Sequence, residues 1–275
     1  MRFRCLTYSG LLGKVKPAVR FLATAGAGST KSPIGIVQTT TSSIYTTTEL
    51  DPQYDLTKWG PAAKTLFSMH PSYIHPSELN YGLPTNGVPE FAFVGRSNVG
   101  KSSLIDALMG NRKLVNVSKE PGCTRSINYY GLSKEKTGKD YSAYFVDLPG
   151  YGFARKSKEE QQKWTNMIHQ YVSSRDQSVL RRVFVLVDSR RGINNHDATM
   201  MDTLNKTFIP YQIVFTKVDL TSKQELYTSL GQAFSVINSS MGGACLPFIP
   251  TLSTVDKTGL DHFKLTMGEI YGQKW

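Results

Sequence analysis

The chain has 275 residues, of which 40% are apolar and 19% charged, enough for one domain with a substantial core plus appendages. No run of about 18 apolar residues occurs, so a membrane-spanning helix is excluded. The three cysteines (Cys5, Cys123, Cys245) are dispersed and form no CxxC pair, which argues against a disulfide scaffold or a zinc site and fits a reducing compartment.

The net charge is +11, and six of the basic residues lie in 1–48, where there is no acidic residue at all. That segment is rich in Ser and Thr. Leu11, Leu12, Val15, Val19 and Leu22 recur at helical spacing around Lys14 and Arg20, although Pro17 interrupts them. The composition predicts an organelle transit peptide, mitochondrial in first place. A plastid peptide and an ordinary tail are the alternatives. Residues 49–88 are punctuated by five prolines, with Pro89 directly after them, and read as a loose lead-in with one short helix, Pro61–Ser68, opened by its proline. His70 and His75 sit in an HPS echo that reads as solvated loop and not as a metal pair.

From residue 89 to about 273 the texture is that of a folded domain. Apolar runs at Phe91–Val94, Tyr141–Asp147, Val183–Asp188, Gln212–Phe215 and Phe248–Ser253 predict strands. Lys101–Met109, Lys158–Ser173, Asp197–Asn205, Lys223–Asn238 and Leu260–Tyr271 predict helices. Ile127–Leu132 joins the Tyr141 strand through a polar stretch, a hairpin signature. The alternation implies an α/β fold: a doubly wound, mostly parallel six-stranded sheet with one antiparallel edge strand and helices on both faces. Ligands of such sheets bind at the carboxyl ends of the strands.

The chemistry falls at those ends. Gly95-Arg96-Ser97-Asn98-Val99-Gly100-Lys101-Ser102 follows a strand, opens a helix and matches G-x-x-x-x-G-K-[ST]. Its glycines let successive N–H groups face an anion, Lys101 brings a full charge to the β- and γ-phosphates, and Ser102 offers a hydroxyl to Mg²⁺, with Ser103 beside it. Asp147 ends its strand where a Walker-B carboxylate supports Mg²⁺, and the bare backbone of Gly150 can approach a γ-phosphate. Thr216-Lys217-Val218-Asp219 ends another strand. The Asp219 carboxylate can accept from N1–H and the 2-amino group of guanine, whereas adenine would set a lone pair against it. The stem of Lys217 can lie along the base, and Ser253-Thr254 can meet the guanine carbonyl. Thr124 can complete Mg²⁺ coordination or serve as a turn hydroxyl. Lys101, Thr124 and Gly150 are thus the residues expected to act on the reacting phosphate.

In order, GRSNVGKSSLIDAL (95–108), PGCTRSIN (121–128), VDLPGYGFA (146–154), VDSRRGINNHD (187–197) and TKVD (216–219) resemble the EngB family within the TrmE–Era–EngA-like GTPases. The resemblance spans about Pro89 to Gly272. It implies a P-loop GTPase domain binding GTP and GDP, Mg²⁺ at Ser102 and Thr124 with Asp147 nearby, and a role in assembly of the large ribosomal subunit. With the basic N-terminus, it implies the mitochondrial version acting on ribosomal RNA or a large-subunit precursor in the matrix, monomeric off the ribosome and not inserted in membrane. Cys123 departs from the basic residue the family often has there.

Many GTPases place a water-orienting glutamine directly after the D-x-x-G glycine. Here the position is Tyr151, so hydrolysis is expected to be slow or completed from outside. Asn98 is the expected K⁺ ligand, its alternative being a residue chosen for a left-handed backbone. Arg125 is a candidate intrinsic finger. Arg112-Lys113, Arg155-Lys156-Lys158, Arg181-Arg182 and Arg190-Arg191 are candidate RNA contacts. A GTP-binding scaffold without turnover and a GTPase of organelle division are the competing functions.

Overall fold

A computed structural model of the chain describes residues 37–39, 42–44, 56–79, 82–110, 114, 127–152, 158–239, 244–246 and 248–273. Most of the expected transit segment lies outside them, as do Arg112-Lys113, Cys123, Thr124, Arg125 and Arg155-Lys156.

The elements in chain order are β1 (Val37–Thr39), β2 (Ser42–Ile44), α1 (Leu56–Ser68), β3 (His70–Ile74), β4 (Glu90–Gly95), α2 (Lys101–Leu108), β5 (Asn128–Ser133), β6 (Tyr141–Asp147), α3 (Lys158–Ser173), β7 (Leu180–Asp188), α4 (Asn195–Lys206), β8 (Tyr211–Thr216), α5 (Lys223–Ser239) and α6 (Leu260–Gly272). β1 and β2 form a separate two-stranded ribbon. The other six strands make one sheet in the order β3-β5-β6-β4-β7-β8. β4 runs parallel to β6 and β7, and β7 parallel to β8, while β5 is antiparallel to both neighbours. Among the described residues no helix is long and apolar enough to cross a membrane.

The central strands are apolar throughout because helices cover both faces of a parallel sheet. Period-2 alternation sorts each strand between two cores. Phe91 and Phe93 of β4 join Leu66 of α1, Leu104 and Ile105 of α2, and Phe263 and Met267 of α6. Ala92 and Val94 join Ile168 of α3, Met201 of α4 and Leu230 of α5 on the opposite face.

The sheet has six strands, as the sequence predicts, but one member differs. Residues 248–253 form no strand. Phe215 N–H donates to Pro250 O (2.8 Å) and Leu252 N–H to Phe215 O (2.8 Å), which leaves only isolated parallel bridges at Phe215–Thr251 and Tyr211–Cys245. Pro250 has no N–H to extend such a ladder. The sixth strand is β3, which caps the outer edge of the antiparallel β5. Its Pro71 is tolerated because an edge strand has one row of N–H groups without sheet partners.

The helix of the lead-in is also longer than expected. α1 starts at Leu56, and Pro61 lies inside it, at the loss of one intrahelical bond. Packing holds it: Ala63 and Leu66 are buried, and Gly268 of α6 backs directly onto Ala63, where an added Cβ would lie 2.5 Å from the Ala63 Cα and 2.6 Å from its N. Gly268→Ala is therefore expected to force the two helices apart and destabilise the protein by about 1–3 kcal/mol, the range for overpacking. A lower denaturant midpoint at unchanged slope would show it.

The remainder of the lead-in is anchored at the end of β4 opposite the rim described below. Arg175 donates to Pro84 O (2.9 Å) and to Glu90 Oε1 (2.7 Å), and Tyr171 Oη donates to Glu90 Oε2 (2.7 Å). Burial pushes the Glu90 carboxyl up to about 7 against the pull of Arg175.

Candidate nucleotide site

Strand register brings the chemical residues to one rim. Phe93 of β4 is level with Asp147 of β6, Gly95 with Leu186 of β7, and Asp188 with Thr216 of β8. The loop 95–100 leaves β4 at this rim and turns into α2 through Gly100, a left-handed N-cap at φ 101° and ψ 15°. A side chain at Gly95 would meet Leu186 O at 2.8 Å, so the loop can start only from a glycine. The first N–H groups of α2 have no acceptor within the helix, and the positive end of its dipole faces the loop. An anion is the natural partner of that cradle.

Lys101 is buried and forms an ion pair with Asp147, itself 1% exposed. Burial pushes the Asp147 carboxyl up, and Lys101 and a hydrogen bond from Asn128 oppose it. Ser102 and Ser103 follow on α2, each partly buried. Lys101 and Asp147 thus meet at the rim, with Ser102 next to the lysine on α2. Thr124, expected to complete the set, lies outside the described residues.

The segment after Asp147 is stitched to the phosphate loop. Leu148 N–H donates to Phe93 O (3.0 Å), Tyr151 N–H to Gly95 O (3.2 Å) and Ser97 N–H to Tyr151 O (3.2 Å). Gly150 is held against the loop, where a Cβ would sit 3.2 Å from Ser97 Oγ. A Cβ at Gly152 would lie 3.5 Å from Arg96 Nε and 3.6 Å from His196 Cδ2. Tyr151 is buried, and its hydroxyl donates to Asp197 Oδ1 (2.7 Å). Asp197 also accepts from Asn194 N–H (3.0 Å) in the capping box that starts α4. The Tyr151 hydroxyl is therefore turned into the fold and orients no water. Tyr151→Phe is expected to lower stability by about 1–3 kcal/mol, through loss of one donor to a buried carboxylate, and to leave GTP turnover unchanged. Thermal melts paired with turnover assays separate the two effects.

At the other end of the rim, Thr216 Oγ1 donates to Val99 O (2.6 Å) and Val187 O (3.3 Å). Its hydroxyl shapes the phosphate loop and is not presented to a base. Val99 itself packs in the core. Lys217 has a left-handed backbone (φ 59°). Its ammonium bonds the Asn98 carbonyl and Asp188 Oδ2 (3.1 Å), which stretches its stem along the rim. Asp219 follows in a short 3₁₀ turn, Val218–Leu220, with its carboxylate exposed. Val218 N–H reaches Leu252 O (3.4 Å), which brings residues 252–254 alongside. The Ser253 hydroxyl is buried and accepts from Val255 N–H (3.1 Å) and Asp256 N–H (3.4 Å), and Ser253 N–H bonds Thr258 O (3.0 Å). Ser253 is thus committed to its own turn, with the partly exposed Thr254 next to it. Asn98 is exposed and left-handed (φ 64°).

One candidate RNA contact is corrected. Arg182 is 2% exposed, since alternation along β7 turns it inward. Arg190 bonds Asp188 twice, at 2.9 and 2.7 Å, while its side chain remains 42% exposed. The charge pattern alone carries neither fact.

A mostly parallel sheet, a glycine-flanked loop entering a helix at its rim, a buried lysine–aspartate pair and a strand-end T-K-x-D together define the class of P-loop GTPases. The family model described as 50S ribosome-binding GTPase matches residues 90–217. The chain is 40% identical over 197 residues to the probable GTP-binding protein EngB of Rhizobium leguminosarum bv. trifolii, covering 70% of this chain and 88% of the relative. It is 38% identical over 209 residues to its counterpart in Rhodospirillum rubrum, covering 76% and 88%. Among solved structures, the crystal structure of a probable GTP-binding protein engB aligns at a TM-score of 0.49 and 25% identity, over 67% of this chain and all of that one. The chain belongs to the EngB family of GTP-binding proteins and is a GTPase of that type.

Proposed function

We propose that this GTPase is a Mg²⁺-dependent switch in assembly of the large subunit of the mitochondrial ribosome. The observation that carries the reading is the lock on Tyr151. The residue after the D-x-x-G glycine has its hydroxyl on Asp197, so no side chain at that position orients the attacking water, and intrinsic turnover is expected to be slow. A partner that supplies the missing group makes such a protein an assembly sensor. The matched family is described as ribosome-binding, and the acid-free basic segment 1–48 has the composition of a transit peptide.

The donors fit the ion. Mg²⁺ takes few protein oxygens when phosphates supply the rest, and the Ser102 hydroxyl and the Asp147 carboxylate are oxygen donors on adjoining elements, with Thr124 the third. When bound, the ion neutralises charge on the β- and γ-phosphates. K⁺ at Asn98 is the second charge source in this reading. Its exposed side chain on the phosphate loop leaves the position accessible. Equal turnover in KCl and NaCl, with Asn98→Ser silent, would sink that part.

The test of the whole reading is sedimentation of mitochondrial extract with GDP or a non-hydrolysable GTP analogue. Co-migration with large-subunit precursors is expected with the analogue and release with GDP. The same distribution in both would leave only a GTP-binding scaffold, and single-turnover hydrolysis with and without particles distinguishes that case.

A further inference from the structure

The turn after β7 is tighter than its sequence suggests. Arg191 N–H and Gly192 N–H both bond Asp188 O (2.9 and 3.1 Å), and Gly192 is left-handed (φ 61°). Arg190 N–H also reaches Asp188 Oδ1 (3.2 Å). The turn therefore returns the guanidinium to the carboxylate two residues earlier, where it grips both oxygens. The remaining face of that carboxylate receives the Lys217 ammonium, which in turn holds the Asn98 carbonyl of the phosphate loop. Burial pushes the Asp188 carboxyl up, but the hydrogen bonds from Arg190 and Lys217 outweigh it and hold it at about 2. The carboxylate is thus ionised at neutral pH. Lys217 lies two residues before Asp219, so the clamp sits on the side of the rim assigned to the base.

From this chain of contacts we propose that Arg190 and Asp188 are positioning residues for the guanine nucleotide: Arg190 fixes the Asp188 carboxylate, and Asp188 fixes the stem of Lys217 along the face where the purine lies. The inference rests on the reading of Lys217 and Asp219 as the base site. It takes Arg190 away from RNA recognition and gives it to nucleotide retention. Because the contacts lie away from Gly150, GDP and GTP are held to the same degree.

The experiment is a double-mutant cycle on the full chain, read as the dissociation rate of a fluorescent GDP and of its GTP counterpart. Arg190→Ala and Asp188→Asn each remove charge-assisted bonds of the clamp and are expected to speed dissociation of both nucleotides about tenfold. The double variant should be no faster than the quicker single one, because both act through the same lysine. Arg190→Lys should not restore retention, since an ammonium cannot take both carboxylate oxygens in parallel. A role in folding alone would lower the melting temperature of Arg190→Ala and leave dissociation untouched. Unaltered dissociation in Arg190→Ala, additive effects in the double variant, or rescue by lysine overturns the proposal. So does a loss confined to ribosomal RNA binding. Failure of the base-site reading looks different: the unmutated protein itself would retain no guanine nucleotide.

Discussion

Asp219→Asn is expected to cut GTP affinity by a factor of about 100 to 10,000, the value of two charged hydrogen bonds at roughly 1.5–3 kcal/mol each. It should raise affinity for xanthosine triphosphate. The carboxylate sits in a 3₁₀ turn directly after Lys217 and is exposed, presented to a ligand and not consumed by the fold. A carboxylate only accepts. Guanine answers it with two donors, N1–H and the 2-amino group. Xanthine carries a carbonyl at C2, and an asparagine amide can donate to that oxygen while its own carbonyl accepts from N1–H. Adenine offers a lone pair at N1, which the acceptor-only carboxylate of Asp219 repels, whereas an asparagine amide can donate one bond to it. Competition between the three triphosphates for wild-type and variant protein checks this, and unchanged GTP preference in the variant would remove Asp219 from the base site.

The parts of the site that could be read from the sequence are those in which chemistry and backbone coincide. Gly95, Gly100 and Lys101 are forced by the loop itself: a Cβ on one glycine would meet Leu186 O, the other is left-handed, and the lysine opens a helix. Asp147 and Asp219 are polar residues at the ends of apolar runs, and a strand end is where a carboxylate in a parallel sheet reaches a ligand. What stayed hidden depends on partners distant in sequence. The hydroxyls of Thr216 and Ser253 resemble ligand donors until their bonds to Val99 O and to the 253–256 turn are seen. Tyr151 reads as a missing catalytic residue, and only the fold shows that its hydroxyl is spent on Asp197, 46 residues away.

The fold divides in the same way. The central strands announce themselves because burial on both faces demands continuous apolar runs. β3 does not, because an edge strand needs only one buried face and tolerates a proline, so His70-Pro71-Ser72-Tyr73 has the texture of a loop. Residues 248–253 mislead in the opposite direction: the run is apolar enough for a strand, but Pro250 breaks the ladder beside β8. Polarity likewise placed Arg182 on the surface, although β7 alternates it inward.

Lys101→Ala is expected to produce two separable losses. The first is binding: without its ammonium the cradle loses a full charge expected at the β- and γ-phosphates, and affinity for GDP and GTP should fall by about 100-fold or more. Thermal stabilisation by nucleotide, about 2.7 kcal/mol at a hundred times Kd, should vanish with it. The second loss is in the ligand-free protein. Lys101 and Asp147 are both buried, and removing one partner of a buried ion pair typically costs about 3–5 kcal/mol. Proton uptake by Asp147 limits that cost, and its sign can be worked out. Burial already pushes the Asp147 carboxyl up and Lys101 pulls it down, so the alanine variant raises its folded-state pKa further above the unfolded value. The native variant then binds a proton that the unfolded chain does not, and its stability falls as pH rises through that window. The deficit relative to wild type should therefore shrink in mild acid, which urea unfolding at several pH values measures. The discriminating variant is Lys101→Met combined with Asp147→Asn. It removes both charges, leaves an amide that can still bond Asn128, and should recover most of the lost stability without recovering nucleotide binding. Recovery of both would mean that the pair serves the fold alone and that the phosphates are held elsewhere.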